Sequence, residues 1–394
     1  MQRRTLLHTL AALPVLATRA WAAPTQGNAK LLVVFLRGAY DCTSLLVPTA
    51  RAPRDFYAAS RPNIAIQNPS PLDADWGLHP AVADALLPLY ERRQLAFLPF
   101  AGIDDLSRSH FETQDAIELG QPQNARRDYG SGFLNRLAAV LGAQASPMAF
   151  TDQMPISLRG PAPAANMALT AVGKPAVSEQ GSRVITGMYR GTPLAAPVAE
   201  GFSVRGEVLR SLNAEMQAAS RNAMNTRGFE QVARRMAELM KSRFDLGFVD
   251  VGGWDTHVGQ GSDTGYLANR LAELGQGLTG FADALGPEAW RNTVVVVVSE
   301  FGRTFRENGN RGTDHGHGSV YWLAGGALSA QAGGRVLGEQ VTLSQATLFQ
   351  NRDYPVLNEY RAVLGGLFTR LYGLSPAQVG QVFAGVKPVD LKII

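Results

Sequence analysis

The sequence predicts an α/β fold in which a mainly parallel sheet is covered by helices on both faces. Short, wholly apolar runs recur along the chain, and segments with apolar residues at helical spacing separate them. A strand buried on both faces shows no alternation of polar and apolar residues, so such runs are typical of parallel sheets. Strands that alternate with helices favour crossover units in which each helix packs on the sheet.

The first 23 residues are predicted to be an export signal. Arg3 and Arg4 precede a short apolar run, and Ala20 and Ala22 form a small-residue cleavage site. The paired arginines resemble a twin-arginine signal, and an ordinary secretory signal is the alternative. We therefore expect a periplasmic or otherwise exported protein that uses the twin-arginine export machinery. The apolar run is too short for a stable membrane span, and none is expected in the mature chain.

Five strands and the helices between them are predicted after the signal. A helix is expected over Pro80–Gln94, and a second over Gly265–Gly286, where Gly286 and Pro287 end it. We expect residues 30–394 to form one domain. The stretch at about 145–241 breaks the alternation of strands and helices, so we expect it to be a helical insertion that packs over the sheet or forms a partial cap. The predicted strands are Leu31–Leu36, Gln94–Gly102, Asp245–Gly253, Asn292–Glu300 and Ser319–Ala327.

The composition argues against nucleic acid as a partner. Hydrophobic residues make up 45% and charged residues 18% of the chain, which is typical of a globular protein. The signal holds Arg3, Arg4 and Arg19 and no acidic residue, so its removal lowers the formal net charge from +4 to +1. A nearly neutral mature chain gives no compositional reason to expect nucleic-acid binding. Cys42 is the only cysteine and is expected to pack in the interior.

Acidic and histidine residues gather where the predicted strands end. Ligands bind beyond the carboxyl ends of the strands in open parallel sheets, so these side chains are expected to converge at one edge. Imidazoles and carboxylates brought together favour a divalent metal ion, for which Zn, Mn or Ca is expected. The sharpest motif is "RGTDHGHGSV" at Arg311–Val320, whose glycines allow the backbone to approach a ligand closely. The candidate ligands are Asp41, Asp255, His257, Glu300, Asp314, His315 and His317.

Several of these residues also have a structural interpretation. Asp41 could cap the segment after the first strand, and Asp255 could cap a helix with His257 on the surface. Ser109, with Glu112 three residues later, matches a capping box.

Arg303 has two interpretations. It could bind an anionic group through its two-pronged guanidinium. It could instead form a structural bridge with Glu300 or Asp314, which is the interpretation we favour.

Six ordered motifs resemble the exported bacterial proteins grouped as domain of unknown function family 1501. The motifs run from about Val33 to Gly318 and read "VVFLRGAYD", "GLHPA", "SHFETQD", "GGWDTH", "VVVVSEFGRT" and "GTDHGHG". That family looks like a branch of the alkaline phosphatase and sulfatase superfamily. The resemblance implies an alkaline phosphatase-like three-layer α/β/α sandwich with a metal site at the carboxyl edge of the sheet.

The resemblance also implies roles for the residues near the first two strands. Asp41 matches an acid that binds one metal ion. Ser109 matches a hydroxyl nucleophile at a helix start, where the N-terminus favours anions. Ser109 and the adjacent His110 are therefore the candidate catalytic residues.

Further ligands are implied near the later strands. Asp255 and His257 match the acid and histidine of the other metal ion, and His315 or His317 matches a late histidine ligand. One departure concerns Phe301, which stands where the superfamily usually has a histidine and cannot bind a metal.

Two functions follow as expectations. The first is an exported metal-dependent hydrolase or transferase that acts on phosphate, sulfate or related esters, with a small anionic ester as its substrate. The second is a non-catalytic exported binding or assembly protein that retains the alkaline phosphatase-like fold. The phenylalanine at position 301 favours the second function.

Overall fold

An eight-stranded sheet forms the centre of the computed structural model, which describes residues 29–169, 179–204 and 228–394. The predicted export signal lies outside the described residues. In chain order, the strands are β1 (Lys30–Leu36), β2 (Leu46–Pro48), β3 (Ser70–Pro71), β4 (Trp76–Leu78), β5 (Leu95–Gly102), β6 (Pro147–Ala149), β7 (Ala165–Asn166), β8 (Leu246–Val251), β9 (Thr293–Ser299), β10 (Ser319–Ala324) and β11 (Asn358–Glu359). The strand order in the large sheet is β11-β5-β10-β9-β1-β8-β6-β7, and β2, β4 and β3 form a separate small sheet.

Helices cover both faces of the large sheet. They are α1 (Cys42–Leu45), α2 (Arg51–Ser60), α3 (Pro80–Glu91), α4 (His110–Leu119), α5 (Phe133–Leu141), α6 (Glu179–Met188), α7 (Phe229–Ser242), α8 (Tyr266–Trp290), α9 (Tyr360–Tyr372) and α10 (Pro376–Val382). Within the described parts of the chain, none of the helices has the length and apolar character needed to cross a membrane.

Alternate residues of β1 belong to two separate cores, which shows the three layers. Leu32, Val34 and Leu36 pack in a core that includes residues of α3, α7 and α8. Leu31 and Phe35 pack in the other core, with residues of α5, α9 and α10. A strand buried on both faces needs apolar residues at every position, and this explains the unbroken apolar runs. The predicted α/β/α sandwich with a mainly parallel sheet is confirmed.

The direction of β10 determines where the site is built. Strand β10 runs antiparallel to both of its neighbours, β5 and β9, whereas β1 is parallel to β8 and β9. The start of β10 therefore lies at the same edge of the sheet as the ends of the parallel strands. This places the "RGTDHGHGSV" segment, which leads into β10, at the carboxyl edge.

The structure differs from the prediction in the insertion and agrees with it at Gly286. Within the predicted insertion, β6 pairs with β8 and β7 pairs with β6, so part of this stretch extends the sheet at its edge instead of lying over it. Residues 170–178 and 205–227 of the insertion lie outside the described residues. The helical geometry of α8 breaks at Gly286 (φ 74°, ψ 166°), as predicted, and a short second helical segment then continues to Trp290.

Candidate metal centre

Three histidines and one aspartate meet at the carboxyl edge of the sheet. His110 is the first residue of α4, in the segment after β5, and Asp255 and His257 lie in the loop after β8. His315 comes from the segment that leads into β10. All four residues are among the predicted site residues, and the fold brings them together.

The ligand atoms of this centre are within contact distance of one another. His315 Nε2 is 2.9 Å from His110 Nε2 and 3.1 Å from His257 Nε2. Asp255 Oδ1 is 2.9 Å from His257 Nε2 and 3.5 Å from His315 Nε2. Among the described residues, His110, Asp255 and His315 form a group that could hold a metal ion, with ligand atoms within 4.8 Å of one another.

The protonation of each imidazole follows from the partner of its other ring nitrogen. His110 Nδ1 is 2.8 Å from Glu300 Oε1, and His257 Nδ1 is 3.1 Å from Asp314 Oδ1. His315 Nδ1 is 2.9 Å from the backbone carbonyl oxygen of Arg108. These oxygens only accept hydrogen bonds, so each Nδ1 carries a proton, and Nε2 is the ring atom left to bind a metal.

Converging lone pairs need a cation. The Nε2 atoms of His110 and His315 would repel each other and the Asp255 carboxylate oxygen at these distances, and a divalent ion between them would remove the repulsion. The guanidinium of Arg303 already contacts Asp255 and lies 3.3 Å from His257 Nε2. Burial lowers the pKa of His315, which favours the neutral imidazole that binds a metal. The donors therefore fit a divalent metal. An imidazole-rich set suits Zn or Mn better than Ca, which prefers oxygen ligands.

Glu300 orients a ligand in this structure instead of contacting the centre. Its buried carboxylate accepts hydrogen bonds from His110 Nδ1, Gly38 N and Gln114 Nε2 at 2.8–2.9 Å and from the Ser299 hydroxyl at 3.0 Å. Three of these donors share Oε1, which holds the carboxylate behind the His110 ring, and this differs from the predicted role of Glu300 as a metal ligand.

Asp314 holds His257 in the same way. Asp314 Oδ1 accepts from His257 Nδ1 and, at 3.0 Å, from Asn308 Nδ2. The predicted role of Asp314 was also that of a metal ligand. Outer carboxylates of this kind fix the ring orientation and the tautomer of a metal-binding histidine.

The Arg303 side chain connects Asp255 to the backbone of two other segments of the site. Its guanidinium donates to the Asp255 carboxylate, to the carbonyl oxygen of Ala39 at 2.6 Å and to that of Thr313 at 3.1 Å. Burial alone would raise the pKa of Asp255, but the hydrogen bond and charge of Arg303 lower it below the usual value. The predicted bridge of Arg303 to Glu300 or Asp314 is therefore wrong, because the guanidinium turns toward Asp255 and the backbone carbonyls.

Comparison with protein families identifies the family to which the chain belongs. The family model described as "Protein of unknown function (DUF1501)" matches residues 28–383. The chain belongs to the DUF1501 family. Comparison of this DUF1501 protein with curated proteins returned no match.

Comparison with solved structures found a distant structural similarity. A crystal structure described as "Crystal structure of Ps i-CgsB in complex with k-i-k-neocarrahexaose" is 10% identical to the DUF1501 protein, with a TM-score of 0.42. The match covers 92% of the DUF1501 protein and 75% of the other chain. A likeness at this level carries nothing about ligands or reaction. The relationship of the DUF1501 protein to alkaline phosphatases and sulfatases stays a prediction.

Asp41 of the DUF1501 protein lies in a separate buried ion pair. Its oxygens accept from Arg61 NH1 at 2.5 Å and NH2 at 3.0 Å, from Gln260 Nε2 at 2.7 Å and from the Ser44 hydroxyl at 2.7 Å. These donors occupy the carboxylate, and the structure does not bring Asp41 to the histidines. Arg61 was not among the predicted site residues, and its guanidinium supplies the positive charge beside Asp41 that was expected of a metal ion.

His315 and His317 have different environments in the DUF1501 protein. The side chain of His317 is 3% exposed, with Nε2 3.2 Å from Asp104 Oδ1 and its ring 4.7 Å from that of Phe349. His317 was a predicted metal ligand, but its Nε2 atom contacts Asp104, and His317 is not part of the group formed by His110, Asp255 and His315. Of the two histidines, the structure places His315 in the centre.

The Ser109 hydroxyl caps α4. It accepts a long hydrogen bond, 3.5 Å, from the backbone N–H of Glu112, which agrees with the capping interpretation. Ser109 precedes His110 directly, so the candidate nucleophile is next to the centre in the chain.

Replacing Gly316 with alanine is expected to destabilise the DUF1501 protein by about 1–3 kcal/mol, as overpacking does. A Cβ at position 316 would lie 2.5 Å from the backbone carbon and oxygen of Arg303, so one of the two segments must shift. Gly309→Ala is the matched control, because its Cβ would meet nothing within 4 Å. Chemical denaturation measures both variants. Equal stability of the two variants would contradict the close packing of this loop.

Proposed function

We propose that this DUF1501 protein is an exported metal-dependent hydrolase or transferase of phosphate, sulfate or related esters. The convergence of three imidazole Nε2 atoms and one carboxylate oxygen carries the proposal. The centre is open to solvent, since the Asp255 side chain is 47% exposed and that of His257 is 39% exposed. A small anionic ester can therefore approach the ligands from outside.

The residues of the chain hold and shape this centre. His110, His315 and Asp255 would hold the ion, and His257 contacts two of these residues. Asp255 contributes one negative charge, which the paired Arg303 guanidinium partly offsets. A divalent ion bound here supplies Lewis-acid polarisation of a phosphoryl or sulfuryl oxygen. Phe301 is buried, and its ring stacks on that of His110 at 5.0 Å, which shields one side of the imidazole from water.

Ser109 is the proposed nucleophile. It is the residue before the ligand His110, at the N-terminus of α4, where backbone N–H groups favour an incoming anionic group. The hydrogen bond that its hydroxyl accepts from the Glu112 N–H is long, at 3.5 Å, so the hydroxyl is weakly held. His110 itself is proposed as a ligand because its Nε2 faces His315.

Elemental analysis and an ester panel test the proposal. The purified mature protein is expected to carry a divalent ion and to hydrolyse at least one aryl phosphate or aryl sulfate after addition of Zn, Mn, Ca or Mg. Ser109→Ala is expected to reduce turnover by about a hundredfold or more, whereas Ser242→Ala, at an exposed serine at the end of α7, is expected to have little effect. A protein that binds no metal and stays inactive with all four ions would contradict the proposal.

The second candidate is an exported binding or assembly protein without catalysis. Phe301 at a position where the resemblance implies a metal-binding histidine, and the capping contact of Ser109, favour it. A bound metal without turnover of any ester, together with an unchanged cell phenotype of Ser109→Ala, would support this candidate over the first.

A further inference from the structure

We propose that Gln114 and Arg37 are positioning residues that prepare His110 for metal binding. The inference rests on the proposed metal centre and concerns two residues that do not touch the ion. They form a chain of hydrogen bonds that leads from the end of β1, through α4, to the imidazole of His110.

The first link is a carboxylate oxygen shared by two residues of α4. His110 Nδ1 and Gln114 Nε2 are 2.8 Å and 2.9 Å from the same atom, Glu300 Oε1. Residues four apart lie on the same face of a helix, so the two side chains can reach one oxygen. The first turn of α4 is thus fixed to the end of β9 at the residue that supplies the ligand.

The second link fixes which end of the Gln114 amide faces Glu300. Arg37 NH1 is 3.0 Å from Gln114 Oε1, and a guanidinium can only donate. The amide oxygen must therefore face Arg37, which leaves the amide N–H groups for Glu300. Without Arg37, the two ends of the amide would differ much less in their surroundings.

Arg37 is held in turn by two carboxylates. Its Nε donates to Asp250 at 2.6 Å and its NH2 to Glu118 at 2.8 Å. Glu118 also accepts from the backbone N–H of Ser157 at 3.0 Å. The guanidinium therefore has a fixed orientation at the ends of β1 and β8.

The direction of every hydrogen bond in this chain follows from its fixed end. Arg37 donates to Gln114, Gln114 donates to Glu300, and Glu300 accepts from His110. His110 Nδ1 must then carry a proton, and the Nε2 lone pair faces His315 and Asp255. Gln114 acts on the metal only through Glu300 and His110, so its loss is expected to weaken binding without removing a ligand.

Gln114→Leu is the direct test. We expect this variant to bind Co²⁺ about 10- to 100-fold more weakly than the unsubstituted protein, the range typical of outer residues around a metal. Competition with a coloured chelator measures the affinity. The NMR signal of the His110 Nδ1–H proton is expected to shift or broaden, which a purely structural role of Gln114 would not cause.

Control variants separate the possible outcomes. Gln276→Leu makes the same change at an exposed position of α8 and is expected to bind Co²⁺ normally. Gln114→Met keeps the side-chain length, loses the donors and is expected to show the same loss if Gln114→Leu does not fold. Normal Co²⁺ affinity and an unchanged His110 signal in a folded Gln114 variant would overturn the inference. Absence of Co²⁺ binding by the unsubstituted protein would instead overturn the proposed function.

Discussion

His315→Ala is expected to lose metal binding, whereas His317→Ala is expected to keep it. His315 Nε2 contacts both other histidines of the centre, but His317 packs against Phe349 and Asp104. Loss of a ligand should weaken binding by more than about a hundredfold, beyond the range for outer residues. Elemental analysis after dialysis and chelator competition measure the two variants side by side.

The metal contents of His315→Ala and His317→Ala can be compared even if the two variants differ in stability. His317 is buried, so its alanine variant leaves a cavity and is expected to unfold more easily than His315→Ala. Metal content must therefore be normalised to the folded fraction, measured by circular dichroism. A His315→Ala variant that keeps its metal, together with a folded His317→Ala variant that loses it, would show that the centre lies elsewhere.

Arg61→Leu is expected to lower the free energy of unfolding by about 3–5 kcal/mol, because it leaves a buried carboxylate without its partner. Arg61 and Asp41 have no solvent exposure. The guanidinium also donates to the carbonyl oxygens of Phe305 at 2.6 Å and Thr304 at 3.0 Å. Chemical denaturation measures the loss, and Asp41→Asn/Arg61→Leu, which removes both charges, should be less destabilised than Arg61→Leu alone.

The pH dependence of this effect has a definite sign. Burial alone would raise the pKa of Asp41, but Arg61, Gln260 and Ser44 together hold it below its usual value. The ion pair therefore contributes stability above the unfolded pKa of about 4, and this contribution is lost as the pH falls through the lower folded pKa. Without Arg61, burial favours the protonated carboxyl, so the destabilisation should grow as the pH rises above about 4. A destabilisation below about 1 kcal/mol would contradict this account.

The strands could be predicted from the sequence because their signal is local. Val294–Val298 is an unbroken apolar run, and all of its residues are buried in β9. An apolar run carries no information about direction, however. That β10 runs antiparallel between β5 and β9 depends on pairing with distant residues, which no local pattern reports.

The members of the site could be predicted better than their roles. His110, Asp255, His257 and His315 stand where strands end or begin, and the chemistry of their side chains marks them. Whether a carboxylate touches an ion or orients a histidine depends on the direction of its side chain. The sequence therefore could not separate Glu300 from Asp255.

Arg61 and Gln114 do not lie at strand ends, so the pattern that marked the other site residues could not identify them. Arg61 lies 20 residues from Asp41, inside an ordinary polar stretch. Gln114 lies four residues after His110, and this helical spacing was the signal that could have suggested it.

The assembly of the centre has a consequence for when an ion can be acquired. His110 and His315 are separated by 205 positions, and the antiparallel β10 brings the later residue back to the edge where α4 begins. A growing chain holds no complete ligand set until the last of these segments has been synthesised and paired. An ion bound at the proposed centre would therefore be selected after folding, from the compartment in which the finished chain first becomes compact.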